Sequence, residues 1–109
     1  MKDCLKKIIE ANKIDMGKEN IYRFHKSDTE LFSVLEKFKD EEVRKITALM
    51  LVGMEKTFNK RLNFDEMLSY CKDEPIVKDF KIDSNIDYIV SKRDRLNQYL
   101  EVALDNMEG

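Results

Sequence analysis

One hundred and nine residues set the size of a single domain, 1–109, able to bury about two thirds of its unfolded surface without disulfide staples. Charge is abundant but balanced, 20 Lys plus Arg against 22 Asp plus Glu for a net of −2, which argues against a bulk nucleic-acid binder while leaving room for a local basic patch. Three Gly and one Pro disfavour an all-β fold, and no Gly-rich phosphate loop, CxxC pair or HxxxH spacing occurs, so nucleotide and zinc chemistry lack their usual motifs.

The first helix is predicted over about Lys2 to Asn12, with Leu5, Ile8 and Ile9 on one face and Lys6, Lys7 and Glu10 on the other. Asp15 to Asn20, with Gly17, is polar and breaks that pattern. Ile21 to Lys26 alternates in character and has no partner strand, so it is expected as an extended linker crossing the bundle. Ser27 and Glu30 have capping-box spacing and open a short helix whose inner face is Leu31, Val34, Leu35 and Phe38.

Asp40 to Met54 is the strongest segment. Asp40 is expected as N-cap, Glu41 and Glu42 suit the positive end of the helix dipole, and Val43, Ile46, Met50 and Met54 recur at helical spacing. Thr47, Leu49 and Leu51 widen this face, as a central helix surrounded by others requires. Gly53 either permits close backbone approach or marks the helix end. Thr57 to Asn63 reads as a basic loop, and Asn63 with Glu66 opens a helix carrying Phe64, Met67, Leu68 and Cys71. Pro75 ends or redirects the chain, and Ile76, Val77 and Phe80 form a short turn capping the core. From Ser84 to Met107 one apolar stripe continues, but Arg93 interrupts it. Ser91 and Asp94 repeat the capping-box spacing, so two helices are favoured over one. The expected fold is all-α: a compact bundle of five to six short helices around a central apolar helix.

Leu31 to Met107 resembles a small uncharacterised bacterial family of all-helical proteins. The resemblance rests on Asp40-Glu41-Glu42, Ala48-Leu49-Met50 followed by Gly53, the Phe64 to Leu68 helix, Tyr88-Ile89 and Tyr99-Leu100. Met54 stands where that family would place Arg after the Gly. The family has no assigned activity, so the resemblance implies a helical fold and supplies no site.

Cys4 and Cys71 lie on predicted apolar faces and are read as buried free thiols in a reducing cytosol. The charged N-terminus does not read as a signal peptide, and Ala48 to Val52 is too short to span a bilayer; a cytoplasmic location with no membrane contact is expected. His25, with Asp28 to orient it, is the one candidate general base, but no nucleophile or oxyanion site accompanies it, so no enzyme is expected. Arg23, His25 and Lys26 beside the free amides of Ser27 to Glu30 form a candidate anion site. No metal or cofactor site is expected.

Two surfaces remain. Tyr22, Phe24, Phe32 and Phe58 are hard to place in one core, and Tyr22, Arg23, Phe24, His25 and Phe58 are the candidate partner-binding residues. Lys60, Arg61, Lys92, Arg93 and Arg95 are the candidate basic patch. The preferred function is a non-catalytic protein–protein interaction module, with a homo-oligomer as one form of partner. The alternatives are a phage or mobile-element inhibitor that binds a bacterial defence complex, resembling an anti-CRISPR protein, and a nucleic-acid binder.

Overall fold

A computed structural model describes residues 1–107. Seven helices follow in order, with no strand among the described residues: α1 Lys2–Met16, α2 Glu30–Glu36, α3 Asp40–Phe58, α4 Phe64–Lys72, α5 Pro75–Lys78, α6 Ile82–Ser91 and α7 Arg93–Asn106. The bundle is all-α, and the count exceeds five or six because Pro75 starts a one-turn helix of its own.

α3 is the central helix because both of its sides are apolar. Val43, Ile46, Leu49 and Met50 enter the main core with residues of α1, α2, α6 and α7, whereas Ala48, Leu51 and Val52 face a smaller core with Cys71 and Val77. α3 packs against α4, α5, α6 and α7, and α1 packs against α2 and α7. Gly53 is buried where α3 crosses α7. A Cβ there would lie 1.9 Å from the Tyr99 carbonyl oxygen, so close backbone approach, not helix ending, explains the glycine. The helix continues five residues past it.

Several helix starts differ from expectation. Lys39, not Asp40, is the N-cap of α3, and the box closes from the other end: the Lys39 amide donates to Glu42 Oε1 at 2.9 Å. This bond is the main reason the Glu42 carboxyl sits below its ordinary range. Asn63 caps α4 as read, accepting from the Glu66 amide at 3.0 Å. α6 begins at Ile82, before Ser84. The break between α6 and α7 does occur, but not through a Ser91 box: Lys92 is the shared cap residue, and the Ser91 hydroxyl donates back to the Tyr88 carbonyl at 2.5 Å.

The largest departures surround the linker. α1 runs four residues beyond Asn12 because its end has tertiary work. The Asn12 side-chain amide is buried and donates to the Arg93 carbonyl at 2.9 Å and to Asn97 Oδ1 at 3.2 Å; Asn97 in turn donates to the Ile9 carbonyl at 3.2 Å. Asp15, read as part of a polar break, is also buried. Its carboxylate accepts from the amides of Glu30 at 2.9 Å and Leu31 at 2.8 Å, and therefore closes the N-terminus of α2 from outside. Thr29 rather than Ser27 is the N-cap, accepting from the Phe32 amide at 3.2 Å. Between them the chain is not extended. Asn20 takes the left-handed conformation at φ 58°, which Asn tolerates, and two 3₁₀ turns follow at Ile21–Arg23 and Lys26–Asp28. Ile21 is the buried anchor of this segment.

Candidate interaction surface

The linker lies over the junction of α6 and α7. Tyr22, Phe24 and Lys26 face Asp87, Arg93 and Asp94 across a depression of about 430 Å³. The Tyr22 hydroxyl donates to the Asp94 carboxylate, and that bond, more than burial, raises the phenol above its ordinary pKa. The Arg93 guanidinium stacks 4.5 Å from the centroid of the same ring. Lys26 forms an ion pair with Asp87 at 2.5 Å and also lies 5.9 Å from the Phe32 ring centroid; Lys18 sits 5.7 Å from that of Phe24. Both rings nevertheless face solvent, Tyr22 at 61 % and Phe24 at 41 % exposure. A cation lies over each ring, and the remaining surface of both is open to solvent.

The remaining candidate residues divide. Arg23 and His25 are exposed beside the two aromatics. His25 is not oriented by Asp28. Its Nδ1 accepts from the Ser27 amide at 3.2 Å and lies 2.5 Å from the Ser27 hydroxyl, so the ring caps a turn. The amides expected to form an anion site at the start of α2 are taken by the carboxylate of Asp15 and the hydroxyl of Thr29. Phe58, 81 % exposed, is the last residue of α3. The two residues before it border a different depression, shared with Gln98, Val102 and Asp105 of α7. Tyr22 meets α7 at Arg93 and Asp94, so the second depression starts about 6 Å farther along the helix at Gln98 and extends to about 17 Å at Asp105. Phe32, expected to fall off its helix face, is half-buried against the main core.

The basic residues do not merge into one patch either. Lys60 and Arg61 belong to the turn after α3, where Lys56 Nζ donates to the carbonyls of Lys60 at 3.2 Å and Leu62 at 2.6 Å. Lys92 lies 5.4 Å from the Tyr88 ring centroid and Arg93 lies on Tyr22, which leaves Arg95 as the exposed cation of that triplet.

Of the thiols, Cys71 is buried as read, and its pKa is pushed up to about 11, first by burial and then by the charges of Glu74 and Glu55. Cys4 is only half-buried, with its Sγ 3.7 Å from Glu42 Oε2. Among the described residues no three His, Cys, Asp or Glu side chains come together as a metal would need, and no helix is long and apolar enough to cross a membrane.

Two features escaped the sequence. Glu41, Arg44, Lys45, Lys72 and Lys78 line a depression together with Val77, whose carbonyl accepts from the Arg44 guanidinium at 2.5 Å. A separate crevice opens between α3, α4, α5 and α6 around Cys71. Each is assembled from residues far apart in the chain, and periodicity along one helix carries no signal of it. In comparisons with known proteins, no family model, no curated protein and no solved structure matches the chain.

Proposed function

We propose that this chain is a non-catalytic protein–protein interaction module whose partner docks on the linker at Tyr22 and Phe24. The observation that supports this reading most is the pairing of exposure with fixed position. Tyr22 is held by Arg93 and Asp94 from two sides, yet most of its surface is open. An aromatic ring already ordered in the free protein loses little conformational entropy on binding, and Tyr flanked by Arg is a common energetic anchor of interfaces. Phe24, Arg23 and His25 extend the surface along the linker. Phe58 is assigned no part in it, because it does not line the Tyr22 depression and the two residues before it border a separate one.

The experiment is affinity capture from a lysate of the encoding organism, run beside sedimentation of the purified chain. Wild-type bait is expected to retain a protein, or to self-associate, and the Tyr22→Ala/Phe24→Ala variant is expected to lose that association by tenfold or more while still melting cooperatively. Equal association by both baits would refute the reading. A lowered melting temperature with unchanged association would reassign the two rings to structure alone.

A further inference from the structure

The crevice around Cys71 is a second, independent place where the surface is organised for a ligand. It measures about 290 Å³, near the small end of ligand pockets and suited to a group of side-chain size. Leu51, Met54, Met67 and Ile76 supply apolar walls, and the rings of Tyr70 and Tyr88 stand beside them. Tyr70 is 71 % exposed, so its ring is open to a ligand. Two carboxylates, Glu55 and Glu74, border the same space. Neither is in either of the two ion pairs formed among the described residues, Lys18–Asp15 and Lys26–Asp87. Both carboxylates are exposed at its rim, both raise the pKa of the buried Cys71 thiol, and no cationic side chain lines the crevice. Lys92 rests on the Tyr88 ring but lies beyond 4 Å from either carboxylate.

We propose that this crevice binds a small organic cation with an apolar body, an alkylguanidinium or alkylammonium of the dimensions of an arginine or lysine side chain. The carboxylates select for positive charge and repel anions, while the tyrosine rings and thioethers receive both the cation's face and its alkyl stem. A neutral apolar ligand would gain nothing from the two carboxylates, which attract a cation from the exposed rim of the crevice. A metal ion is a poor occupant, since no third His, Cys, Asp or Glu ligand joins the two carboxylates with the geometry a metal needs.

The test is a titration of protein labelled at its methionine methyl groups with n-butylguanidinium chloride, followed by NMR. The neutral isostere n-butylurea is titrated at equal ionic strength. Saturable shifts at Met54 and Met67 with the guanidinium, and at least tenfold weaker binding of the urea, are expected. Glu55→Gln/Glu74→Gln should weaken the guanidinium at least tenfold. Tyr70→Ala, at an exposed position that the fold does not need, should weaken it severalfold and guards against a double variant that fails to fold. The proposal is overturned by shifts that do not saturate, by equal affinity for the urea, by shifts confined to the other methionines, or by unchanged affinity in a folded carboxylate variant. Nα-acetyl-arginine methylamide identifies the source of the cation. Tighter binding than butylguanidinium marks a partner's arginine side chain, and weaker binding marks a free small cation; both satisfy the site.

Discussion

Gly53→Ala is the substitution that most directly tests how the bundle is built. In a solvated helix this change stabilises, because Ala is favoured over Gly by about 1 kcal/mol in a helix interior. Here the added methyl group would sit 1.9 Å from the carbonyl oxygen of Tyr99, and its next neighbours, at 2.7 and 3.0 Å, are also Tyr99 backbone. Ordinary van der Waals contact begins at 3.4 Å, so the two helix backbones must separate by about 1.5 Å (3.4 minus 1.9), and no flexible side chain can yield instead. Overpacking of this kind costs about 1–3 kcal/mol, and a backbone-against-backbone clash belongs at the top of that range or above it. The net loss is therefore about 2 kcal/mol or more after the helix-propensity gain. Unfolding entropy near 2.1 cal/mol/K per residue gives about 0.23 kcal/mol/K for this chain, which converts the loss to a fall of about 9 °C or more in Tm. Calorimetry on Gly53→Ala beside Gly17→Ala measures it. Gly17 ends α1 in a right-handed conformation, and a Cβ there meets only carbonyl oxygens at 3.5 Å, so its alanine variant should be neutral or slightly stabilised. A Gly53→Ala protein with an equal or higher Tm than wild type would refute the α3–α7 crossing.

Asp15→Ala should remove the acceptor of two amides at the start of α2 and cost about 1–3 kcal/mol, read as a shift in the urea midpoint; an unchanged midpoint would mean that water replaces the carboxylate freely. Cys71 should make the fold sensitive to alkali. Its pKa is raised to about 11 in the folded chain from an ordinary 9.0, so the unfolded chain releases its proton first, and stability present below pH 9 is lost as pH rises toward 11. The loss is on the order of 2 kcal/mol, and urea melts of Cys71→Ala should decline less than wild type across that window; parallel declines would show that the folded thiol ionises near its ordinary value.

The central helix was legible because its signals are local. Three acids in the first turn and a continuous apolar period specify α3 whatever surrounds it, and they place its N-cap within one residue of Lys39. The helix break near Ser91 was legible for a different reason: Arg93 interrupts an apolar stripe, and a charge has no place in the core. The linker was not legible, because its conformation is set by residues elsewhere. A buried aspartate that caps another helix looks, in sequence, like any polar residue ending a helix, and so periodicity alone ends α1 four residues short. The exposure of Tyr22, Phe24 and Phe58 followed from their failure to fit a helix face, but which of them share a surface depends on the path of α7, to which local periodicity is blind. The cation crevice draws on four helices and had no sequence signal at all.

The linker is tied to the bundle by two kinds of contact, and their difference bears on its role. Asp15, Thr29 and Ile21 are buried, and breaking any of them leaves a polar group or a void where water cannot compensate fully. The contacts around the aromatic rings are exposed: Lys26 and Asp87 retain about half their accessible surface, and such a pair contributes about 1 kcal/mol at most. The ends of the segment are therefore fixed firmly and its middle lightly. A partner that approaches Tyr22 and Phe24 can displace Asp94 or Lys26 at small cost without unseating Ile21 or uncapping α2. On the proposed reading, stability rests on Asp15, Ile21 and Thr29 and recognition on Tyr22 and Phe24, which is why substitutions at Asp15 should register in the melt and substitutions at Tyr22 and Phe24 in association.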